Sequence, residues 1–405
     1  MAKKKLNSDV DDDFFEDLAE KTGGDVLDSI DSIKYFIDTG SLALNYICSG
    51  RFITGGIPGG KLTEIFGPNS SSKSLFGANI LFGTQKVGGI PCLLDCENSA
   101  NKEFIQLASH CNLKRIVRHT PQTLEEVFTK MYKVIEAVRE KKGPEVPIVI
   151  VYDSIGVSPS ARELREVNLP EGYTKAQFKA IVGGNEQPGE RAKICSREFR
   201  KLNTVMEKHN ATVVILNQTR DKIGTYVPTK TTAGGGNALP FYASCRLETK
   251  TMQKIEKKLS AKKKKILGIN VKLINRKNKT HRPFVESENV QLLFDKGINP
   301  ISGLLSCLLD SGRIEQAGTG SYKVNDSFSN GEEVKFRASL DRNDIPVDIL
   351  LKCPALIDAS STEQVQNYLE PYKLALESRA EDDSDVELNE ANELDDDLID
   401  EELEG

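Results

Sequence analysis

Residues 61–74 read Lys-Leu-Thr-Glu-Ile-Phe-Gly-Pro-Asn-Ser-Ser-Ser-Lys-Ser. A short apolar strand runs straight into a Ser-rich turn, and from Lys73 to residue 86 the pattern becomes helical. A strand, a tight turn of small residues and a helix, in that order, bring backbone N–H groups together at a helix N-terminus, where phosphate oxygens are stabilised. The segment Gly67-Pro68-Asn69-Ser70-Ser71-Ser72-Lys73-Ser74 meets the phosphate-loop form Gly-x-x-x-x-Gly-Lys-Ser/Thr except that Ser72 replaces the second Gly. Lys73 supplies the cation for terminal phosphates and Ser74 the hydroxyl for Mg²⁺. A side chain at position 72 predicts a strained backbone angle costing about 1 kcal/mol. Taken alone, a chance Ser-rich turn competes with this reading.

Around it, short apolar runs at 61–66, 90–95, 147–152, 211–217, 243–249 and 268–275 alternate with helical stretches at 73–86, 122–140 and 190–209. That alternation predicts an α/β fold, a mainly parallel twisted sheet flanked by helices. The run Ile148-Val149-Ile150-Val151-Tyr152-Asp153 ends in a carboxylate. In such a sheet Asp153 lies at the C-terminal edge beside the phosphate loop, where it can hold Mg²⁺ together with Ser74. Asp95-Cys96-Glu97 follows the 90–95 run. Glu97 is either a group that orients or deprotonates a water, or a carboxylate favoured by a helix start.

The 405 residues divide into an N-terminal arm (1–37), an α/β core (38–290), a small mixed C-terminal domain (291–375) and an acidic tail (376–405), read as disordered. Net charge is −6, yet residues 381–405 hold 14 Asp or Glu and no Lys or Arg, leaving a body of about +8. The tail is either a solubilising end or a competitor for the polyanion that a basic groove would bind. No run approaches the ~18 apolar residues of a membrane span, and no apolar leader follows the N-terminus, so a cytoplasmic chain with no membrane partner is expected. Eight scattered cysteines, none in Cys-x-x-Cys, and four histidines argue for reduced thiols and against a zinc site. Three polar stretches, 160–190, 219–237 and 250–265 with its eight Lys, separate core elements and are long enough to be functional or disordered.

Leu216-Asn217-Gln218-Thr219-Arg220-Asp221-Lys222-Ile223-Gly224, followed by Thr231-Thr232-Ala233-Gly234-Gly235-Gly236-Asn237-Ala238-Leu239-Pro240-Phe241-Tyr242-Ala243-Ser244, resembles bacterial RecA in residues and in separation. The resemblance extends to Gly40-Ser41-Leu42-Ala43-Leu44, Gly56-Ile57-Pro58-Gly59-Gly60-Lys61, Lys277-Asn278-Lys279 and Gly297-Ile298-Asn299, covering roughly residues 38–300. The irregular phosphate loop, short arm and length are more narrowly similar to the UvsX recombinases of T4-like phages. The resemblance implies an ATP- and Mg²⁺-dependent recombinase that forms filaments on single-stranded DNA and exchanges strands with double-stranded DNA in recombination-dependent replication and repair. A single-strand-binding protein and a recombination mediator are its implied partners, and the host cytoplasm its location if phage-encoded.

It also implies residue roles. Glu97 matches the catalytic glutamate and Gln218 the glutamine that senses the γ-phosphate, a task suited to an amide that donates and accepts. Phe104 falls where an aromatic meets adenine, or is a core residue of its helix. Lys277 and Lys279 match lysines that reach a neighbour's ATP across a filament interface. Arg200, Arg220, Lys222, Ile223, Gly224, Gly235, Gly236 and Asn237 match a sequence-independent DNA groove. The lysine-rich 250–265 is a solvated hairpin or a guide for duplex DNA. Two other classes share parts of the pattern. A ring-forming helicase would lack the 217–237 block and the Lys277/Lys279 pair. A non-hydrolysing paralogue with a loop disabled by Ser72 has no need of Lys73, Ser74, Glu97, Asp153 and Gln218 together.

Overall fold

The computed structural model describes residues 12–26, 33–69, 71–98, 101–167, 189–221, 230–232, 236–260, 263–329, 331–339 and 342–376. They fall into two units that divide between Tyr35 and Phe36. In the first, α1 (Asp12–Thr22) has no buried residue, and its Asp17–Lys21 pair at 2.6 Å gives the few tenths of a kcal/mol typical of i,i+4 pairs (~0.3). The acidic tail from residue 377 lies outside the described residues.

The second unit opens with β1 (Phe36–Ile37), α2 (Leu42–Ser49) and β2 (Ile57–Pro58), the two strands pairing antiparallel. Ser41 caps α2 by accepting from the Leu44 N–H, and Gly50 ends it in the left-handed region. The core follows as β3 (Leu62–Gly67), α3 (Lys73–Lys86), β4 (Ile90–Asp95), α4 (Lys102–Ser109), β5 (Val117–His119), α5 (Leu124–Arg139), β6 (Ile148–Asp153), α6 (Ala161–Val167), α7 (Glu190–His209), β7 (Ala211–Asp221) and β8 (Lys230–Thr232). Then come α8 (Ala238–Tyr242), β9 (Cys245–Ser260), β10 (Lys263–Asn278), β11 (Glu286–Leu293) and β12 (Gly297–Ile298). One sheet runs β12-β11-β10-β9-β3-β7-β6-β4-β5, with β8 added to β7. From β9 to β5 neighbours are parallel, and β10, β11 and β12 add antiparallel. The expected RecA-like α/β class is the one observed.

Helices cover both faces, so the central strands are apolar throughout. Ile148, Ile150 and Tyr152 pack with Phe128 and Met131 of α5 and Phe199 and Leu202 of α7. Val151, Asp153, Leu93 and Asp95 point to the other face, where with Gly77, Ala78 and Leu81 of α3 they line a small cavity. Each fully buried Leu, Ile or Phe contributes about 1.5–3 kcal/mol. This two-sided core fixes the strand register, and the register brings the strand ends together. Asp95 stands beside Asp153, and Gly67 beside Gln218.

A buried charge tightens the centre. Glu64 of β3 is wholly buried and accepts from Asn217 Nδ2 at 2.8 Å and from Arg246 Nε at 2.5 Å. Arg246 also lies over the Phe66 ring, 4.6 Å from its centroid. Removing one partner of a buried pair leaves an uncompensated charge, so Arg246→Met is expected to destabilise by about 3 kcal/mol. Denaturant unfolding followed by circular dichroism checks this, and a loss below about 1 kcal/mol would show that the pair is unimportant.

The expected strands at 243–249 and 268–275 are the inner parts of one long antiparallel hairpin, β9–β10, which absorbs the lysine-rich stretch 250–265. That stretch is therefore strand for most of its length, as the hairpin reading expected. Its register sets Lys265 opposite Lys257, and no apolar alternation marks it because its described side chains, 251–257 and 264–266, are mostly exposed. In the 160–190 stretch, 161–167 is helix α6, and 168–188 lies outside the described residues. The sheet also continues past the expected boundary at 290, through β11 to Ile298 of β12. Beyond it, β13 (Ile314–Gly318), β14 (Ser321–Val324) and β15 (Lys335–Arg337) form a three-stranded sheet. It is accompanied by α9 (Leu304–Asp310), α10 (Val347–Lys352) and α11 (Thr362–Leu369).

Candidate functional site

β3 delivers Gly67 to the C-terminal edge, and the chain turns into α3 through the phosphate loop. A Cβ on Gly67 would stand 2.4 Å from the Thr249 carbonyl oxygen of β9 and 2.8 Å from Ser71 Oγ. Only glycine fits there. Ser71 Oγ donates to the Pro68 carbonyl and lies 2.9 Å from Thr249 Oγ1, which ties the loop to the neighbouring strand. Ser70 lies outside the described residues, and Asn69 is exposed. Ser72 has φ 60° and ψ 25°, the left-handed conformation that its place in the loop predicts, and its side chain makes no cap bond. Replacing it by Gly forfeits no hydrogen bond and relieves the strain. Ser72→Gly is thus expected to gain up to about 1 kcal/mol, read as a rise in melting temperature. A fall would mean that the hydroxyl has a partner of greater worth.

Lys73 folds its ammonium over the loop, donating to the carbonyls of Pro68 at 2.7 Å and Gly67 at 3.3 Å and to Ser71 Oγ at 3.3 Å. Burial holds its pKa below the usual lysine value, against the opposing pull of Asp153 and Glu97. Ser74 Oγ donates to Asp153 Oδ2 at 2.6 Å. Burial, with the nearby Glu97 and Asp95 charges, pushes Asp153 up to about 6 against the bond from Ser74. Two hard oxygen donors side by side at a phosphate loop are the protein share of a Mg²⁺ site that takes its remaining ligands from phosphate and water. The residues fit Mg²⁺ with a nucleotide.

Glu97 sits just past β4. The N–H groups of Cys96 and Glu97 donate to the Asp153 carbonyl at 2.7 and 3.4 Å. Glu97 Oε1 accepts from Ser154 Oγ at 2.7 Å and from Gln218 Nε2 at 3.2 Å. Ser72, Lys73, Ser74, Glu97, Asp153 and Gln218 share one open cleft of about 530 Å³ with three apolar side chains, Leu75 of α3, Ile269 of β10 and Phe294. Phe294 is the aromatic that sequence reasoning missed. It stands three residues before Gly297-Ile298-Asn299, so its signal lay beside a quoted match. Phe104 falls on α4, and its side chain lies outside the described residues.

The remaining candidates divide between two places. Lys277 and Lys279 are not in this cleft. Lys277 pairs with Arg246 on β9, beside Glu64 near the start of β3, so both lysines stand at the opposite end of the strands from Gly67. Lys277 Nζ donates to the carbonyls of Pro240 and Phe241, each at 2.8 Å, and burial, then Lys279 and Arg246, lowers its pKa. Of the expected DNA residues, the structure describes Arg200, Arg220, Gly236 and Asn237. Arg220 is near the end of β7, paired with Thr231 of β8. Gly236 and Asn237 are exposed, and Gly236 lies against Ala192 near the start of α7. Arg200 is exposed on α7. Lys222, Ile223, Gly224 and Gly235 lie outside the described residues.

A phosphate loop at the C-terminal edge of a mainly parallel sheet, with a carboxylate on each of two neighbouring strands, defines a P-loop NTPase. The family model for the RecA N-terminal domain matches residues 8–299, and the chain belongs to the RecA family. It is similar to Protein RecA of Thermus aquaticus, 31% identical over 70% of this chain and 74% of that one. It is also similar to Protein RecA of Chloroherpeton thalassium, 26% identical over 86% and 84%, and of Thermus thermophilus, 29% identical over 78% and 84%. The activity of this family is DNA-dependent ATP hydrolysis, in the service of recombination and repair. No helix among the described residues is long and apolar enough to cross a membrane.

Proposed function

We propose that the chain assembles on single-stranded DNA as an ATP-dependent filament, pairs it with homologous duplex and exchanges strands, as the phage recombinases it resembles would in recombination-dependent replication. The single observation that carries this reading is the Gln218–Glu97 hydrogen bond at 3.2 Å. It joins the nucleotide cleft to the strand from which the 219–237 segment departs. Lys73 and the loop N–H groups bind phosphate, and Ser74 and Asp153 hold the metal. Mg²⁺, when bound, neutralises charge between the terminal phosphates. Glu97 takes up the proton of the attacking water, and Ser154 and Gln218 orient its carboxylate.

Gln218 is the coupling element. Its amide can turn from Glu97 to a γ-phosphate oxygen, and that choice sets the position of the DNA segment that follows. Arg200 and Arg220 with Lys222 contact phosphates, and Ile223 enters between bases, so that pairing rather than protein reads the sequence. A single-strand-binding protein and a mediator would control loading in the cytoplasm. ATP hydrolysis and joint-molecule formation, measured with and without single-stranded DNA, test the reading. Strong stimulation and exchanged strands are expected. Hydrolysis without stimulation or exchange would turn the reading toward a motor.

A further inference from the structure

The edge strand β5 carries a charged residue that the site described so far leaves unused. Arg118 reaches back under the C-terminal edge. Its Nη2 and Nε donate to Asp95 Oδ2 at 2.6 and 3.1 Å, and the same Nη2 donates to Asn98 Oδ1 at 2.9 Å. Asp95 is 2% exposed and Arg118 42% exposed, so the carboxylate is buried and the guanidinium covers it from the rim. These partners lie on both sides of Cys96-Glu97. Asp95 is the last residue of β4, and Asn98, three positions on, has φ 50° in the left-handed region. One planar cation therefore grips the segment before and after Glu97. A guanidinium has the fixed fork of donors to do so, where an ammonium offers a point charge.

We propose that Arg118 is a positioning residue for hydrolysis, clamping Asp95 and Asn98 so that the Glu97 carboxylate is held toward the cleft. This rests on the reading of Glu97 given above. Three carboxylates, Asp95, Glu97 and Asp153, converge at this edge against Lys73. Arg118 pairs with Asp95, the one of the three that ends β4. Ser154 and Gln218 hold the Glu97 carboxylate itself, while the backbone bonds of Cys96 and Glu97 to Asp153 hold only the strand side of the segment that carries it. Without the clamp the turn after Glu97 loses its outer tether, and a carboxylate displaced by about 1 Å can lose about 10²-fold in rate.

The experiment is steady-state ATP hydrolysis with single-stranded DNA for Arg118→Met, Arg118→Lys, Asn98→Gly, the double variant Arg118→Met/Asn98→Gly, and Glu97→Gln. Asn98→Gly keeps the left-handed turn, removes only the amide and leaves Asp95 paired, so it reports even if Arg118→Met folds poorly. The expected result is a kcat about 10- to 100-fold lower in Arg118→Met with KM for ATP within about threefold. Asn98→Gly should fall at least threefold in kcat, Arg118→Lys should recover part of the loss, and the double variant should be no worse than Arg118→Met. Unchanged kcat in Asn98→Gly and in folded Arg118→Met, with Glu97→Gln inactive, would overturn the clamp and leave the role of Glu97 standing. Equal losses in kcat and thermal stability, with additive single effects, would make Arg118 structural and would also overturn it. Full hydrolysis by Glu97→Gln would remove the reading of Glu97 beneath it.

Discussion

Replacing Glu97 by Gln should lower DNA-stimulated ATP hydrolysis by about 10²- to 10⁴-fold while leaving ATP and single-stranded DNA binding within about threefold. The substitution is informative because it disturbs so little. Glu97 Oε1 is an acceptor for Ser154 Oγ and Gln218 Nε2, and the amide oxygen of Gln can keep accepting from both. Size and position are preserved, and only the capacity to take a proton is lost. Lys73 and the Ser74–Asp153 pair, to which the proposed function assigns phosphate and metal binding, lie on other elements, so ground-state binding has no reason to fall. A loss in kcat at constant KM would identify an interaction made only in the transition state. Wild-type turnover in the variant would return Glu97 to the reading of a carboxylate placed by a helix start. The 10²–10⁴ range corresponds to about 3–5 kcal/mol of barrier, and filaments assembled on DNA with ATP should persist longer as hydrolysis slows.

The parallel core was legible because burial on both faces forces long apolar runs, and those runs end at residues that line the cleft. Ser72 was legible down to its backbone angle, since a loop that needs φ above zero needs it whatever residue stands there. What escaped notice has physical causes. A hairpin at 250–265 was among the expected readings, but the length of β9–β10 was not, because it carries lysines where a half-buried strand would alternate. Ile269 on β10 and Phe294 just past β11 enter the cleft from far along the chain, and neither belongs to a motif that assigns it to the site. Arg118 lies in a three-residue strand, too short to show a pattern, and its meaning comes only from the register that sets β5 beside β4. Sequence spacing gives the elements, while their pairing decides which side chains meet.

Lys277 and Lys279 give the second large effect, and here the register makes the argument. β10 pairs with β9, and β9 with β3, so that Asn278 stands opposite Cys245 and Cys245 opposite Thr63. From Thr63 to Gly67 is four residues of strand, about 13 Å at ~3.3 Å per residue. The lysines thus lie at the far end of the sheet from the phosphate loop of their own chain, and a lysine side chain does not bridge that span. If they act on ATP, they act on a neighbour's. Lys277→Ala should then cost about 10³-fold or more in DNA-dependent turnover, the order of a cation supplied in trans to phosphoryl transfer. Lys277→Ala and Glu97→Gln should each be nearly inactive alone and should recover activity when mixed. In a head-to-tail filament one protomer supplies Glu97 and the next supplies Lys277. An equimolar random mixture therefore restores roughly one interface in four, and turnover near a quarter of wild type follows if interfaces work independently. Mixed filaments that form and stay inactive would mean that both groups are needed in the same protomer. Lys277 would then be held to its structural task, securing the carbonyls of Pro240 and Phe241.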